Sequence, residues 1–217
     1  MNKGNNLIGH NKTFTNLVKL YNDNKLPNKI LLSGNRGIGK HLFSSHFVNY
    51  ILSQDEKIKF DEKNFQVNSK NNSYLLFQNN IHPNIFLVSK HEDKKNIEIS
   101  QIREMIKFQN NSSFNNKLKF IIIDNAHNLN LNSSNALLKS IEEPNNKVFY
   151  ILTYNTCSKL QDTIRSRCIE FKLFLNYSSV KSIVNNYFSE NIFDSIQNDF
   201  INYYHNPSFV ISLIQYL

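Results

Sequence analysis

Gly34-Asn35-Arg36-Gly37-Ile38-Gly39-Lys40 has the Gly-x4-Gly-Lys spacing of a phosphate-binding loop. The glycines of such a loop let successive backbone N–H groups turn toward phosphate oxygens, and the lysine sets a point charge at the outer phosphates. Lys29-Ile30-Leu31-Leu32-Ser33 runs into the loop as a short apolar strand. Leu42, Phe43, Phe47, Val48 and Ile51 follow it at helical spacing, so a helix N-terminus adds a dipole favourable to anions. This strand–loop–helix context separates the motif from a chance Gly-Lys match. Gly34, Gly37, Gly39 and Lys40 are the expected phosphate-binding residues.

Two positions of the same site depart from what hydrolysis needs. A Ser or Thr after the lysine would coordinate Mg²⁺, but the chain has His41, and a neutral imidazole is a poor ligand for a hard cation that prefers oxygen. Ser44 and Ser45 lie a turn further on and do not substitute. Phe120-Ile121-Ile122-Ile123-Asp124 is an apolar strand ending in an acid, the Walker B arrangement that holds Mg²⁺; an ordinary buried strand ending in a capping Asp would read the same. The residue after it is Asn125, whose amide cannot take a proton, so general-base assistance of about 10²–10⁴-fold is missing. Hydrolysis at this site is expected to be very weak or nil. The amide cradle is intact, so the expected cofactor is at most ATP or ADP, held weakly.

The elements that must position these groups alternate between strand and helix. An amphipathic helix ends at Val18, Leu20 and Tyr21, and Leu26-Pro27 breaks the pattern before the first strand. Residues 53–72 mix charges of both signs and read as a surface insertion or a solvated helix end. Ile85 to Val88 is a second strand, and Ser100 is placed to cap a helix carrying Ile102, Met105 and Ile106. After the strand from Leu118 to Asp124, a helix spans about Asn132 to Glu143 and stops at Pro144. Val148–Thr153 and Cys168–Leu173 are the last strands, and helical patterns at Val180–Phe188, Ile192–Tyr204 and Ser208–Leu217 complete the chain. This order predicts an α/β fold: a parallel sheet covered by helices on both faces over residues 1–173, then a small helical unit over 174–217.

Composition narrows the function classes. The 217 residues carry 25 Lys+Arg against 17 Asp+Glu, a formal net charge of +8. That balance suits nucleic-acid phosphates, and a global Lys- and Asn-rich bias would produce it equally. A 40% hydrophobic content supports a real core. No run approaches the ~18–20 apolar residues of a membrane span, and the first residues lack the apolar segment of a signal peptide. Cys157 and Cys168 are too few for a disulfide scaffold, and no C-x-x-C offers a zinc site. The expected setting is the cytoplasm, with no membrane partner and no metal site.

Ser133-Ser-Asn-Ala-Leu-Leu-Lys-Ser-Ile-Glu-Glu-Pro144 closely resembles the N-A-L-L-K-x-L-E-E-P helix of clamp-loader AAA+ subunits. Thr163-Ile-Arg-Ser-Arg-Cys168 is similar to their T-[IL]-R-S-R-C motif. His82-Pro83-Asn84 and Ile97-x-Ile99-x-Gln101-Ile102-Arg103-Glu104 resemble the H-P-D and I-x-I-x-Q-I-R-E stretches of the delta-prime branch of bacterial DNA polymerase III. With Ile8-Gly9-His10, Leu26-Pro27-Asn28 and the phosphate loop, the matches run in order from about residue 8 to 173.

The resemblance implies an AAA+ P-loop fold with a helical lid. It also implies a stator-like subunit of the complex that opens the sliding clamp and closes it on primed DNA. Its implied partners are the gamma/tau motor subunit, the delta subunit, the clamp and primed DNA. Carried over from the S-R-C motif, Arg167 would reach a neighbour's ATP as an arginine finger in trans. Asn155 matches the sensor-1 position, although a turn after the strand would look the same. Arg103 and Lys107 are placed as DNA contacts in relatives, or form a solvated helix face. Three departures stand out. Residues 53–80 lack the family's zinc cysteines, and in His205-Asn206-Pro207-Ser208-Phe209 the sensor-2 arginine is replaced by Phe209. The chain also ends near the expected end of the lid, where relatives continue into a helical collar. An active DNA-stimulated clamp-loader ATPase is the alternative that His41 and Asn125 oppose. A small-metabolite kinase would leave the S-R-C and N-A-L-L-K stretches unexplained.

Overall fold

Five apolar runs form the sheet: β1 (Lys29–Gly34), β2 (Ile85–Val88), β3 (Lys119–Ile123), β4 (Val148–Asn155) and β5 (Ile169–Lys172). Every pairing is parallel, in the order β2-β3-β4-β1-β5. Parallel neighbours require crossovers, and helices supply them. The central strands are buried almost throughout and read as unbroken apolar runs, whereas β2 and β5 are only partly covered. The computed structural model describes residues 6–111, 117–142, 147–188 and 206–216.

Eight helices are described: α1 (Asn11–Asn22), α2 (Lys40–Leu52), α3 (Asn72–Gln78), α4 (Ile99–Asn110), α5 (Leu131–Glu142), α6 (Asp162–Arg165), α7 (Tyr177–Phe188) and α8 (Pro207–Tyr216). The pleat sends alternate strand residues to opposite faces. Ile30, Leu32, Phe120, Ile122 and Ile151 join Phe14 of α1 and Phe43 and Phe47 of α2 in one core cluster. Leu31, Ile121, Ile123 and Leu152 join Ile102 and Met105 of α4 and Leu137 and Ile141 of α5 in the other. Val180 and Val184 of α7 and Val210 of α8 extend the first cluster.

The local readings need four adjustments. Helix α4 is capped at Glu98 rather than Ser100. The Glu98 N–H donates to Gln101 Oε1 (3.0 Å) and Gln101 Nε2 donates to the Ser89 carbonyl (2.8 Å), which starts the helix before Ser100. Helix α5 begins after Asn130, whose Oδ1 accepts from the Ser133 N–H (2.9 Å). The expected stop at Glu143 and Pro144 lies outside the described residues, as does the helix expected at 192–204. Third, the 53–72 stretch is no plain solvated insertion: Phe60, Val67 and Asn71 are buried in it. Asn71 Oδ1 caps α3 through the Tyr74 N–H (2.7 Å) and accepts from Asn49 Nδ2 (2.7 Å). Last, α3 and the single turn α6 are helices that the periodicity does not announce.

Candidate functional site

The aligned strands bring three carboxyl-terminal ends together. Gly34 at the end of β1 lies in register with Asn155 at the end of β4, and Ile123, the residue before Asp124, with Leu152. Ligands of open parallel sheets bind beyond this edge.

In the phosphate loop, Gly37 (φ +77°) and Gly39 (φ +89°) take left-handed conformations that a side chain would disfavour. The lysine does not point outward. Lys40 Nζ donates to the carbonyls of Gly34 (2.9 Å) and Asn35 (2.6 Å), and the residue is only 7% exposed. Burial pushes its ammonium below the ordinary lysine range, and Asp124 partly opposes that shift. The loop is also tied from outside. His10 Nε2 bonds the Ile38 carbonyl at 2.7 Å, and Ser208 Oγ donates to the Gly37 carbonyl at 3.1 Å. A Cβ on Gly37 would run into Asn206 and Ser208.

The carboxylate is equally committed. Thr153 Oγ1 donates to Asp124 Oδ1 (2.7 Å), and Asn125 Nδ2 donates to Asp124 Oδ2 (2.9 Å). The Asn125 N–H in turn donates to Thr153 Oγ1 (2.7 Å), from a left-handed backbone at φ +54°. His41 stacks on Phe77, with ring centroids 6.3 Å apart, and its Nδ1 lies 3.9 Å from Asp124 Oδ1. Ser44 and Ser45 donate to carbonyls of their own helix, His41 (2.8 Å) and Leu42 (2.8 Å). This arrangement does not fit Mg²⁺-ATP. No hydroxyl follows Lys40, both acidic oxygens have protein donors, and the lysine satisfies loop carbonyls.

Asn155 Oδ1 accepts from the Cys157 N–H (3.2 Å), the bond of a turn. Thr156 ties that turn to the loop through the Gly34 carbonyl (3.2 Å) and Asn35 Oδ1 (3.0 Å). Phe209, on α8, is exposed. A cavity of about 290 Å³ behind the loop is lined by Ser33, Ile38, Thr156 and Leu173 among others.

Arg167 lies apart from the loop contacts, in the turn between α6 and β5. Its Nε donates to Glu142 Oε1 of α5 (2.7 Å) and its Nη1 to the Thr163 carbonyl (3.0 Å). Arg165 instead sets Nε and Nη2 on Glu170 Oε2 (3.1 and 2.8 Å). Arg103 and Lys107 are exposed one turn apart on α4, opposite buried Ile102 and Met105. Among the described residues no group of three or more His, Cys, Asp and Glu side chains could hold a metal, and no helix is long and apolar enough to cross a membrane.

Sequence reasoning missed Thr153 and Phe77, which reach the site from other elements, and it gave no role to Glu142, which stands within the Ser133–Pro144 stretch and meets Arg167. It also missed His127, in the 3-10 turn after Asn125. Its buried Nδ1 has no hydrogen-bond partner among the described residues, and burial, with Lys40 nearby, lowers its pKa.

Residues 9–175 match the family model described as DNA polymerase III, delta subunit. The chain is 29% identical over 140 residues to DNA polymerase III subunit delta' of Pseudomonas aeruginosa, covering 64% of this chain and 41% of that protein. It is 30% identical over 186 residues to subunit delta' of Buchnera aphidicola subsp. Schizaphis graminum, covering 83% and 54%. Against subunit gamma/tau of Mycoplasma genitalium it is 34% identical over 155 residues, covering 71% and 24%. The chain thus spans between 24% and 54% of the length of these three relatives. A solved DNA polymerase III gamma subunit-related protein from Thermotoga maritima superposes with a TM-score of 0.55 at 19% identity, over 78% of this chain and 49% of that one. The fold is the AAA+ P-loop fold, a parallel sheet between helices followed by the α7 and α8 helices.

Proposed function

The chain belongs to the DNA polymerase III delta-subunit family, and from that membership we propose that it serves as a delta-prime-like clamp-loader subunit that does not itself hydrolyse ATP. The observation that carries this reading is the state of Asp124. Its two oxygens accept from Thr153 and from Asn125, the residue standing where a general base is needed. His41 stands beside it, and Lys40 is turned onto the carbonyls of its own loop instead of outward toward a γ-phosphate. ATP or ADP would bind weakly.

Arg167 supports the other half of the reading. It is exposed, always charged, and outside the chain's own phosphate loop, as a group that completes a neighbour's site must be. In that role its guanidinium stabilises charge on phosphoryl oxygens of a nucleotide held by the motor subunit. Arg103 and Lys107 are assigned to DNA phosphates, where each contact adds salt-sensitive affinity without sequence choice. The partners are then the gamma/tau-type motor, the delta subunit, the sliding clamp and primed DNA, in the cytoplasm. We divide the chain at 173/174 into the P-loop unit and the lid.

The test measures ATP turnover by motor plus delta subunit with clamp and primed DNA. It is run without this chain, with it, and with Arg167→Ala. The chain is expected to raise turnover, and the variant to assemble without raising it. Robust turnover by the isolated chain, abolished by Lys40→Ala, would instead make it an active ATPase and overturn the reading.

A further inference from the structure

We propose that Glu142 is the positioning residue for Arg167: its carboxylate holds one edge of the guanidinium so that the remaining donors are presented to an anion, a phosphate carried by a neighbouring subunit. This rests on the reading of Arg167 given above. A guanidinium has five N–H donors. Glu142 Oε1 takes the Nε–H and the Thr163 carbonyl takes one on Nη1, which leaves three without a partner among the described residues. The arginine side chain is 40% exposed and the glutamate 53%, so both reach solvent at the same place.

Three features show that this pair is not simply a fold-stabilising bridge. First, an exposed pair of this kind contributes little to stability. Second, Glu142 lies in the last turn of α5, where a carboxylate opposes the helix dipole, so the helix alone gives no reason for an acid there. Third, Glu142 follows Ser140 and Ile141, both buried, so its backbone is fixed relative to the core while its side chain is free to meet Arg167. The contact therefore ties a long side chain, with its large rotamer freedom, to a rigid element. Arg165 differs in its partner: two of its nitrogens meet one oxygen of Glu170 on β5, not a helix end. A finger fixed in advance is already ordered when the neighbour docks, and orientation of this kind affects the reacting complex rather than nucleotide affinity.

The experiment uses the assembled loader with clamp and primed DNA, and reads the increment in ATP turnover that this chain adds. Glu142→Ala is expected to lower that increment at saturating ATP by fivefold or more, with the ATP KM and assembly unchanged. Glu142→Gln, which keeps an acceptor oxygen, is expected to retain at least half. Arg167→Ala is the reference. If it leaves the increment intact, the finger reading fails. If it removes the increment while Glu142→Ala does not lower it, the positioning role is overturned and the finger stands. Should Glu142→Ala fail to assemble, Glu142→Asp decides in the same way: reduced turnover at unchanged KM supports the role, and unchanged turnover overturns it.

Discussion

His41 and Asp124 stand 3.9 Å apart where magnesium binding needs a hydroxyl and a free carboxylate. The ring is also held by stacking on Phe77, so it occupies the place instead of swinging clear. His41→Thr restores the oxygen ligand and withdraws the imidazole from Asp124. It is expected to tighten Mg²⁺-dependent ATP binding by about tenfold or more, read by titration calorimetry with and without Mg²⁺. Turnover should stay at background, because Asn125 still cannot accept a proton; equal affinity in both proteins would show that His41 is not what weakens the site. His82 makes a second residue-level prediction. Its Nδ1 accepts from the Asn84 N–H (3.1 Å), and burial, with Lys117 nearby, pushes its pKa down to about 4. An unfolded histidine titrates near about 6.5. Stability from neutral His82 is therefore complete above that value and is lost as pH falls from about 6.5 to about 4. Allowing for its partial exposure, the loss is about 1–2 kcal/mol. Urea denaturation at pH 7.5 and pH 4.5 should show a smaller drop for His82→Gln than for the wild-type chain. An equal drop would assign the effect to other groups.

Helix α4 shows how an element can depend on a residue far away in sequence. Lys119, on β3 and buried, donates to the last carbonyls of α4, Phe108 at 2.6 Å and Gln109 at 3.5 Å, and to Asn111 just after it. Those carbonyls have no partner within the helix. Its ammonium also lies 4.8 Å from the Phe108 ring centre. Lys119→Met keeps the length of the side chain and strands the acceptors. It is expected to cost about 2–4 kcal/mol by chemical denaturation and to speed amide exchange in the last turn of α4. An unchanged exchange pattern there would remove the capping role. This dependence was not legible in the sequence, where Lys119 falls within the apolar stretch from Leu118 to Asp124 and nothing links it to α4. What was legible had short-range rules: glycine spacing for the loop, unbroken apolar runs for β1, β3 and β4, and helical spacing for α2 and α5. The α4 start was misread because Glu98, Gln101 and Ser89 fix it jointly, and the last of these lies before the helix. Helices α3 and α6 escaped because 7 and 4 residues give too little period to detect. At the site, residue types forecast the missing base and the missing hydroxyl. They could not forecast that Lys40 folds back or that Thr153 bridges Asp124 and Asn125, because those bonds depend on strand register.

On the scale of the whole molecule, the segments around α7 and α8 close on two glycines, one ahead of α1 and one within the phosphate loop. Gly9 (φ +84°) packs against Leu175 and Ser179, and Gly37 (φ +77°) against Asn206 and Ser208. Both positions exclude a methyl group twice over, by backbone conformation and by contact. At Gly9 a Cβ would come within 2.8 Å of Ser179 Cβ, and at Gly37 within 2.8 Å of Ser208 Cβ. Val180, Val184 and Val210 meanwhile share one core cluster with Phe14, Phe43 and Phe47. Among the described residues, the buried side chains of α7 and α8 join the cluster of the P-loop unit, so the two units proposed to meet at 173/174 are expected to unfold together. Gly9→Ala and Gly37→Ala should each lower stability by about 1–3 kcal/mol. Because both displace the same pair of helices, the double variant should lose less than the sum, by 0.5 kcal/mol or more on the order expected for coupled sites. The full chain and each variant should unfold in a single transition, with fluorescence and circular dichroism coincident. Strict additivity with two transitions would mean that the lid opens independently of the sheet. The bond from Ser208 Oγ to the Gly37 carbonyl would then be made only part of the time.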